Sequence, residues 1–148
     1  MWLARWTIAG CAGAAIGCAR VPPRVILPRT TGVEAISVAS LSDEYPLPAG
    51  ENIRAVILGQ TDAVSYHFVQ IRDRERPHVH AAHDLVVTLL RGRGTVHNGG
   101  GIFPMEVGDV VVIPRGTVHY FVNDGSEPTA ALVTFAPPFD GKDQVPAE

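Results

Sequence analysis

Gly108–Asn123 reads GDVVVIPRGTVHYFVN: an apolar run, a Pro114-Arg115-Gly116 turn, and a second short run that opens on His119. Proline sets φ and removes a donor, and glycine tolerates the positive φ of a tight turn, so the stretch reads as two strands joined by a turn. About forty residues upstream, Pro77–Gly94 reads PHVHAAHDLVVTLLRGRG. His78 and His80 stand two apart at the mouth of a run that reads as a strand, so their imidazoles point to one face. Convergent imidazoles with a carboxylate four residues on, Asp84, are a usual way to hold a divalent transition metal. His119, after the second strand and its turn, would close such a site from a neighbouring strand.

Outward from these two stretches the chain keeps one texture. Val33 opens VEAISVA, an alternating first strand, and Ser42–Asn52 is a turn-rich loop. Ile53–Leu58 and Ala63–Ile71 follow as strands, the second with Val64, Tyr66, Phe68 and Gln70 on one side and Ser65, His67, Val69 and Ile71 on the other. Arg72–Arg76, RDRER, reads as a solvated charge cluster at a turn. After it come Leu85–Leu90, Thr95–His97, Ile102–Val107, Asp109–Ile113, His119–Val122 and Thr129–Phe135, with Asn98–Gly101 suited to a hairpin loop. Nine or ten short strands with no helix between them call for an all-β sandwich or closed barrel. A chain of 148 residues holds one such domain with a real core.

The net charge of −3, with eleven Arg and one Lys thinly spread, leaves no basic footprint for nucleic acid. Both cysteines, Cys11 and Cys18, lie in the first eighteen residues, so metal chemistry in the body rests on histidine and carboxylate. Residues 1–17 carry Arg5 and then about a dozen mainly apolar small residues, too few to span a bilayer and suited to a secretory signal peptide. Ala15-Ile16-Gly17-Cys18 resembles a bacterial lipobox and makes Cys18 the lipidation candidate; the same reading at Cys11 leaves the apolar region too short. The alternative is a plain cleaved signal with incidental cysteines. Residues 19–32, rich in proline, read as a tether, residues 33–136 as the barrel, and residues 137–148 as a polar Pro-rich tail wrapping the outside. The expected location is the bacterial cell envelope by a lipid anchor, the only membrane contact, with a periplasmic or secreted protein as the alternative.

These motifs resemble those of the cupin superfamily. Its second motif asks for Gly, five residues, Pro-x-Gly, two residues, His, three residues and Asn, and Gly108, Pro114, Gly116, His119 and Asn123 meet every position. Its first motif asks for His-x-His, three or four residues, Glu, six residues and Gly. Here Asp84 stands where Glu is usual and Gly92 comes one residue late. The resemblance covers residues 33 to 136 and implies a double-stranded β-helix, or jelly-roll, barrel with a metal held inside by His78, His80, His119 and an acidic position. Asp84 is one methylene shorter than Glu, and the neighbouring His83 is the alternative fourth ligand.

Two functions are compatible with this reading. One is a metal-dependent enzyme of dioxygenase or lyase type, with open positions on Fe, Mn, Ni, Cu or Zn for a small chelating organic acid or phenol, and Asp84 or a bound water moving protons. No second catalytic carboxylate stands near either motif. The other is a non-catalytic cupin that binds a small molecule or a metal. The fold alone does not choose. Arg91 and Arg93 are candidates to meet an anionic substrate at the barrel mouth, with solvated turn arginines as the alternative. His67 and His97 lack a motif and read as surface or supporting residues. A homodimer is open, as many cupins pair.

Overall fold

A computed structural model describes residues 21–147. Residues 1–17, expected to be a signal peptide, and both cysteines lie outside the described residues. The strands are β1 (Arg24–Arg29), β2 (Gly32–Ser37), β3 (Ile53–Gln60), β4 (Ser65–Ile71), β5 (His78–His80), β6 (Asp84–Arg91), β7 (Gly94–Asn98), β8 (Gly101–Met105), β9 (Val110–Ile113), β10 (His119–Asn123), β11 (Thr129–Ala136) and β12 (Gln144–Pro146), with one helix, α1 (Val38–Glu44). Two five-stranded antiparallel sheets, β12-β5-β10-β7-β8 and β3-β4-β11-β6-β9, make the expected all-β barrel. Their inner faces meet in a core that joins Ile71 and Leu89 of one sheet to Val96, Met105 and Phe121 of the other.

Period-two alternation decides which face each side chain takes. On β4, Val69 and Ile71 line the barrel interior, and Phe68 points out to a second apolar cluster with Val25, Leu27, Val38, Leu41 and Leu90. On β6, Leu85, Val87 and Leu89 point in. Two turn glycines of the second motif adopt the left-handed region, Gly108 at φ 101° and Gly116 at φ 75°, where other residues are strained. Asn123 ties its loop together: its amide donates to Arg72 O and Glu127 O, and its Oδ1 accepts from Gly125 N.

Three expectations are corrected here. Residues 24–32, expected as part of the tether, instead belong to a β1–β2 hairpin that runs to Ser37, because Val25 and Leu27 alternate onto the outer face of the barrel and are buried there. Pro28 fits because a two-stranded ribbon has an outer edge that needs no donor. VEAISVA is strand only to Ser37, whose hydroxyl caps α1 by accepting from Ser40 N at 3.0 Å. The helix is too short, at seven residues, to leave a periodic signature. Arg91 pins it down, donating to Ser42 Oγ at 2.9 Å and Pro128 O at 3.2 Å. The tail, finally, adds a strand: β12 pairs with β5, setting Gln144 opposite His80 and Pro146 opposite His78.

Candidate metal centre and barrel cavity

β5 and β10 run antiparallel with His78 opposite His119, so one cross-strand pair plus the i, i+2 relation of His78 and His80 brings three rings together. Ring centroids lie 4.3 Å apart for His78–His119, 5.1 Å for His78–His80 and 5.5 Å for His80–His119. One nitrogen of each lies within 4.8 Å of the others. All three residues are buried.

Their hydrogen bonds set the donor atoms. His78 Nδ1 lies 2.8 Å from Arg76 O and His119 Nδ1 lies 2.9 Å from Thr117 O. A carbonyl only accepts, so both Nδ1 atoms carry a proton, and in the neutral ring that leaves the lone pair on Nε2. His80 Nδ1 is buried with no partner among the described residues. Burial, reinforced by His78 and His119, pushes the His80 imidazolium down to about 4, against a small opposing pull from Asp143. Burial also lowers His119, partly offset by its bond to Thr117. Three buried imidazoles, one of them holding an orphaned buried nitrogen, fit a divalent first-row metal.

Asp84 does not join them. Leu85 points inward, so its neighbour Asp84 takes the outer face, where Oδ1 accepts from Arg115 N at 2.9 Å and Oδ2 from Arg115 Nη2 at 2.6 Å. The Arg115 guanidinium holds the Asp84 carboxyl down at about 2. His83 is buried and turned the other way, its Nδ1 donating to Asp143 Oδ2 at 2.5 Å. Residues 81–83 form a bend in which the chain leaves one sheet for the other, so alternation counted from His80 stops there. Asp143 also accepts from Ala81 N at 3.1 Å and Ala82 N at 2.8 Å, so this tail carboxylate latches the loop that follows β5. His80, His83 and Asp143 form a second close group that shares His80 with the first.

The three imidazoles open onto a cavity of about 280 Å³ inside the barrel. That is the lower end of small-molecule sites. Its wall is mainly aliphatic and aromatic, with Ile71, Leu89, Val111, Phe121 and Phe135 among the lining side chains, and Phe139 and Gln144 contributed by the tail. Phe139 stacks on Phe135 at 4.6 Å and stands edge-on to His80 at 5.3 Å. The wall also contains Glu75 from the RDRER cluster, so the reading of that cluster as uniformly solvated is corrected. Glu75 pairs with β10 through its backbone, Glu75 N to Phe121 O at 2.9 Å, and its Oε2 accepts from Phe121 N at 2.9 Å. Burial raises its carboxyl above the ordinary value, opposed by His78 and the Phe121 N–H. No local pattern marks Glu75, because the residue that pairs with it is 46 positions away.

Neither Arg91 nor Arg93 lines the cavity. His97 lies outside the cavity lining and stacks on Tyr120 at 4.1 Å. His67 packs edge-on to Phe135 at 4.8 Å and shares a hydrogen bond with Ser65 Oγ at 2.9 Å, in a supporting position beside the cluster.

The comparisons agree with this geometry. A family model described as "Cupin domain" matches residues 67–135. A protein of Aquifex aeolicus (strain VF5) is 40% identical over 98 residues, which span 66% of this chain and 80% of that one. Among solved structures, KdgF from Halomonas sp. superposes with a TM-score of 0.59 at 25% identity, covering 66% of this chain and 91% of its own. Streptomyces Pac13, described as a nucleoside dehydratase, gives a TM-score of 0.56 at 18% identity over 66% of this chain and 79% of its own, a likeness of fold. The antiparallel jelly roll and the motif residues on β5, β10 and their turns place this chain in the cupin superfamily, to which it belongs.

Proposed function

We propose that this protein holds a divalent transition metal, of the Fe, Mn, Ni, Cu or Zn group, on His78, His80 and His119 and uses it on a small organic molecule in the barrel cavity, as an oxygenase-like or lyase-like enzyme. The observation that carries the reading is the convergence of three buried imidazoles on the wall of a mainly apolar cavity. A metal there would supply Lewis-acid polarisation of a ligand oxygen. The apolar wall excludes water, the Arg76 and Thr117 carbonyls hold the rings of His78 and His119, and Glu75 is a carboxylate within the cavity that can take or return a proton. Elemental analysis of the purified full chain tests the reading. One first-row metal per chain, lost in both His78→Ala and His119→Ala, is expected; no metal after reconstitution would overturn it.

The competing reading is a non-catalytic binder, favoured by the tail, whose β12 and Phe139 cover one side of the cluster. Exchange of metal-bound water, by relaxation of the Mn(II)-loaded protein, distinguishes them, since an enzyme needs an open position. We propose further that the chain is exported and anchored at the cell envelope through Cys18. Labelled palmitate incorporated in the wild type and lost in Cys18→Ala is the expected result, and equal labelling of the variant would overturn it.

A further inference from the structure

The two five-stranded sheets end in four edge strands, β8, β12, β9 and β3. An unprotected edge offers a row of unpaired N–H and C=O groups to another strand. Three of these edges are blunted. β8 carries Pro104, and β12, only three residues long, carries Pro146. β9 has four residues, and its Val112 O already accepts from Asn98 Nδ2 at 3.2 Å. β3 is different: it runs for eight residues, IRAVILGQ, without a proline, and among the described residues it pairs with β4 alone.

Arg72 N donates to Asn52 O at 2.8 Å. Alternation along an antiparallel ladder then binds Asn52, Arg54 and Val56 to β4 and turns the N–H and C=O of Ile53, Ala55 and Ile57 to the free edge. The same three residues stand opposite Ile71, Val69 and His67, so their side chains take the inner face, and Ile53 and Ala55 line the cavity. Yet Ile53 is 37% and Ile57 51% exposed, against 7% for Ile71 on the neighbouring strand. At β3 the apolar wall stands open to water.

A row of free backbone groups is satisfied by an extended chain, and Ile53-x-Ala55-x-Ile57 is its own complement. About a twofold axis at Ala55, each Ile53 faces Ile57 of the other copy and Ala55 faces its equivalent. An axis at Arg54 would set two guanidinium side chains directly opposite, and an axis at Val56 would set Ile53 against Gly59, beyond the bulge after Ile57. We propose that two copies of this chain pair β3 to β3, antiparallel about Ala55, and that Ile57 of the second copy lies beside Ile53 at the lip of the cavity. The second copy thus supplies a residue to the wall that one chain leaves open. The pairing does not depend on the metal.

An interface one strand wide is smaller than the roughly 800 Å² per partner of a standard stable complex, so a dissociation constant of about 10 to 100 µM is expected. Sedimentation velocity of the full chain from about 5 to about 500 µM spans that constant and reads it. Ala55→Pro removes the N–H at the twofold axis and spares the β4 ladder, because that N–H faces the other way; it should raise the constant at least about tenfold. Ile57→Lys puts a charge on the edge and should do the same. Each variant is checked for a wild-type circular dichroism spectrum, and Ile57→Lys decides alone if Ala55→Pro fails that check. The register is read by mild oxidation of Ala55→Cys. Its two Cα atoms would stand about 5.5 Å apart, within disulfide reach, and should cross-link, whereas Glu51→Cys, opposite Gly59 of the second copy, should stay at the wild-type background. A chain monomeric to about 500 µM, a dimer unweakened in both edge variants, or an Ala55→Cys cross-link no stronger than that of Glu51→Cys would overturn the proposal.

Discussion

Leu41→Ala tests whether the N-terminal hairpin and α1 are part of the domain or an appendage. Leu41 is 0% exposed and packs in the cluster of Val25, Leu27, Val38, Phe68, Leu90 and Ala130, between α1 and the outer face of the β4–β11–β6 sheet. Truncating a fully buried leucine costs about 2 to 5 kcal/mol, from lost transfer energy plus the cavity left behind. Alanine carries no helix-propensity penalty, and a short helix lying on the surface can settle partly into the gap. The expected cost is therefore in the lower half of that range, about 3 kcal/mol. For a domain of this size that corresponds to a fall in Tm of about 10 °C. Calorimetry of the metal-free protein, with urea midpoints as a second measure, reads the shift. Metal stoichiometry should stay at the wild-type value, because the imidazole cluster lies on the inner side of the barrel. A fall of less than about 3 °C would refute the packing argument and make the hairpin and α1 an appendage to the barrel.

Other outcomes follow from the site. Asp84→Asn should keep wild-type metal stoichiometry, since Asp84 faces Arg115; loss of the metal would refute the outward placement. Asp143→Ala removes the acceptor shared by Ala81 N, Ala82 N and His83 Nδ1, and should weaken metal retention against a chelator by about tenfold or more, with wild-type retention as the contrary result. The metal-free protein should lose stability as pH falls from 6.5 to about 4. The unfolded chain binds protons at its histidines over that range, while folded His80 stays neutral until about 4, so the unfolded state holds more protons and stability rises with pH. Burial lowers His67 and His119 in the same direction. The His80 contribution amounts to at most about 3 kcal/mol, and urea unfolding at pH 7, 5.5 and 4.5 measures it; stability that rises on acidification would contradict the argument.

The barrel was legible because its signals are local. Alternation on residues 63–71 sorts Val69 and Ile71 from Phe68 without reference to any other strand, and a period of two puts His78 and His80 on one face wherever β5 lies. Gly108, Pro114 and Gly116 report the turns they make, because positive φ and a fixed φ are properties of single residues. Which face of β4 looks inward, by contrast, is not local. The sequence offered two candidates, and only the docking of the hairpin and α1 on Phe68 assigns that face to the outside.

By itself, then, the amino-acid order determined the all-β architecture, the turns of the second motif and the HxH pair. The tertiary structure alone decided three points at the site. It turned Asp84 outward to Arg115, because the bend at residues 81–83 carries the chain into the other sheet and ends the alternation counted from His80. It brought Glu75 into the cavity through pairing with Phe121, and it laid the tail across β5 so that Asp143 holds His83. Each of these depends on contacts between residues 31 or more positions apart, and side-chain periodicity within a strand carries no information about which distant strand will lie beside it.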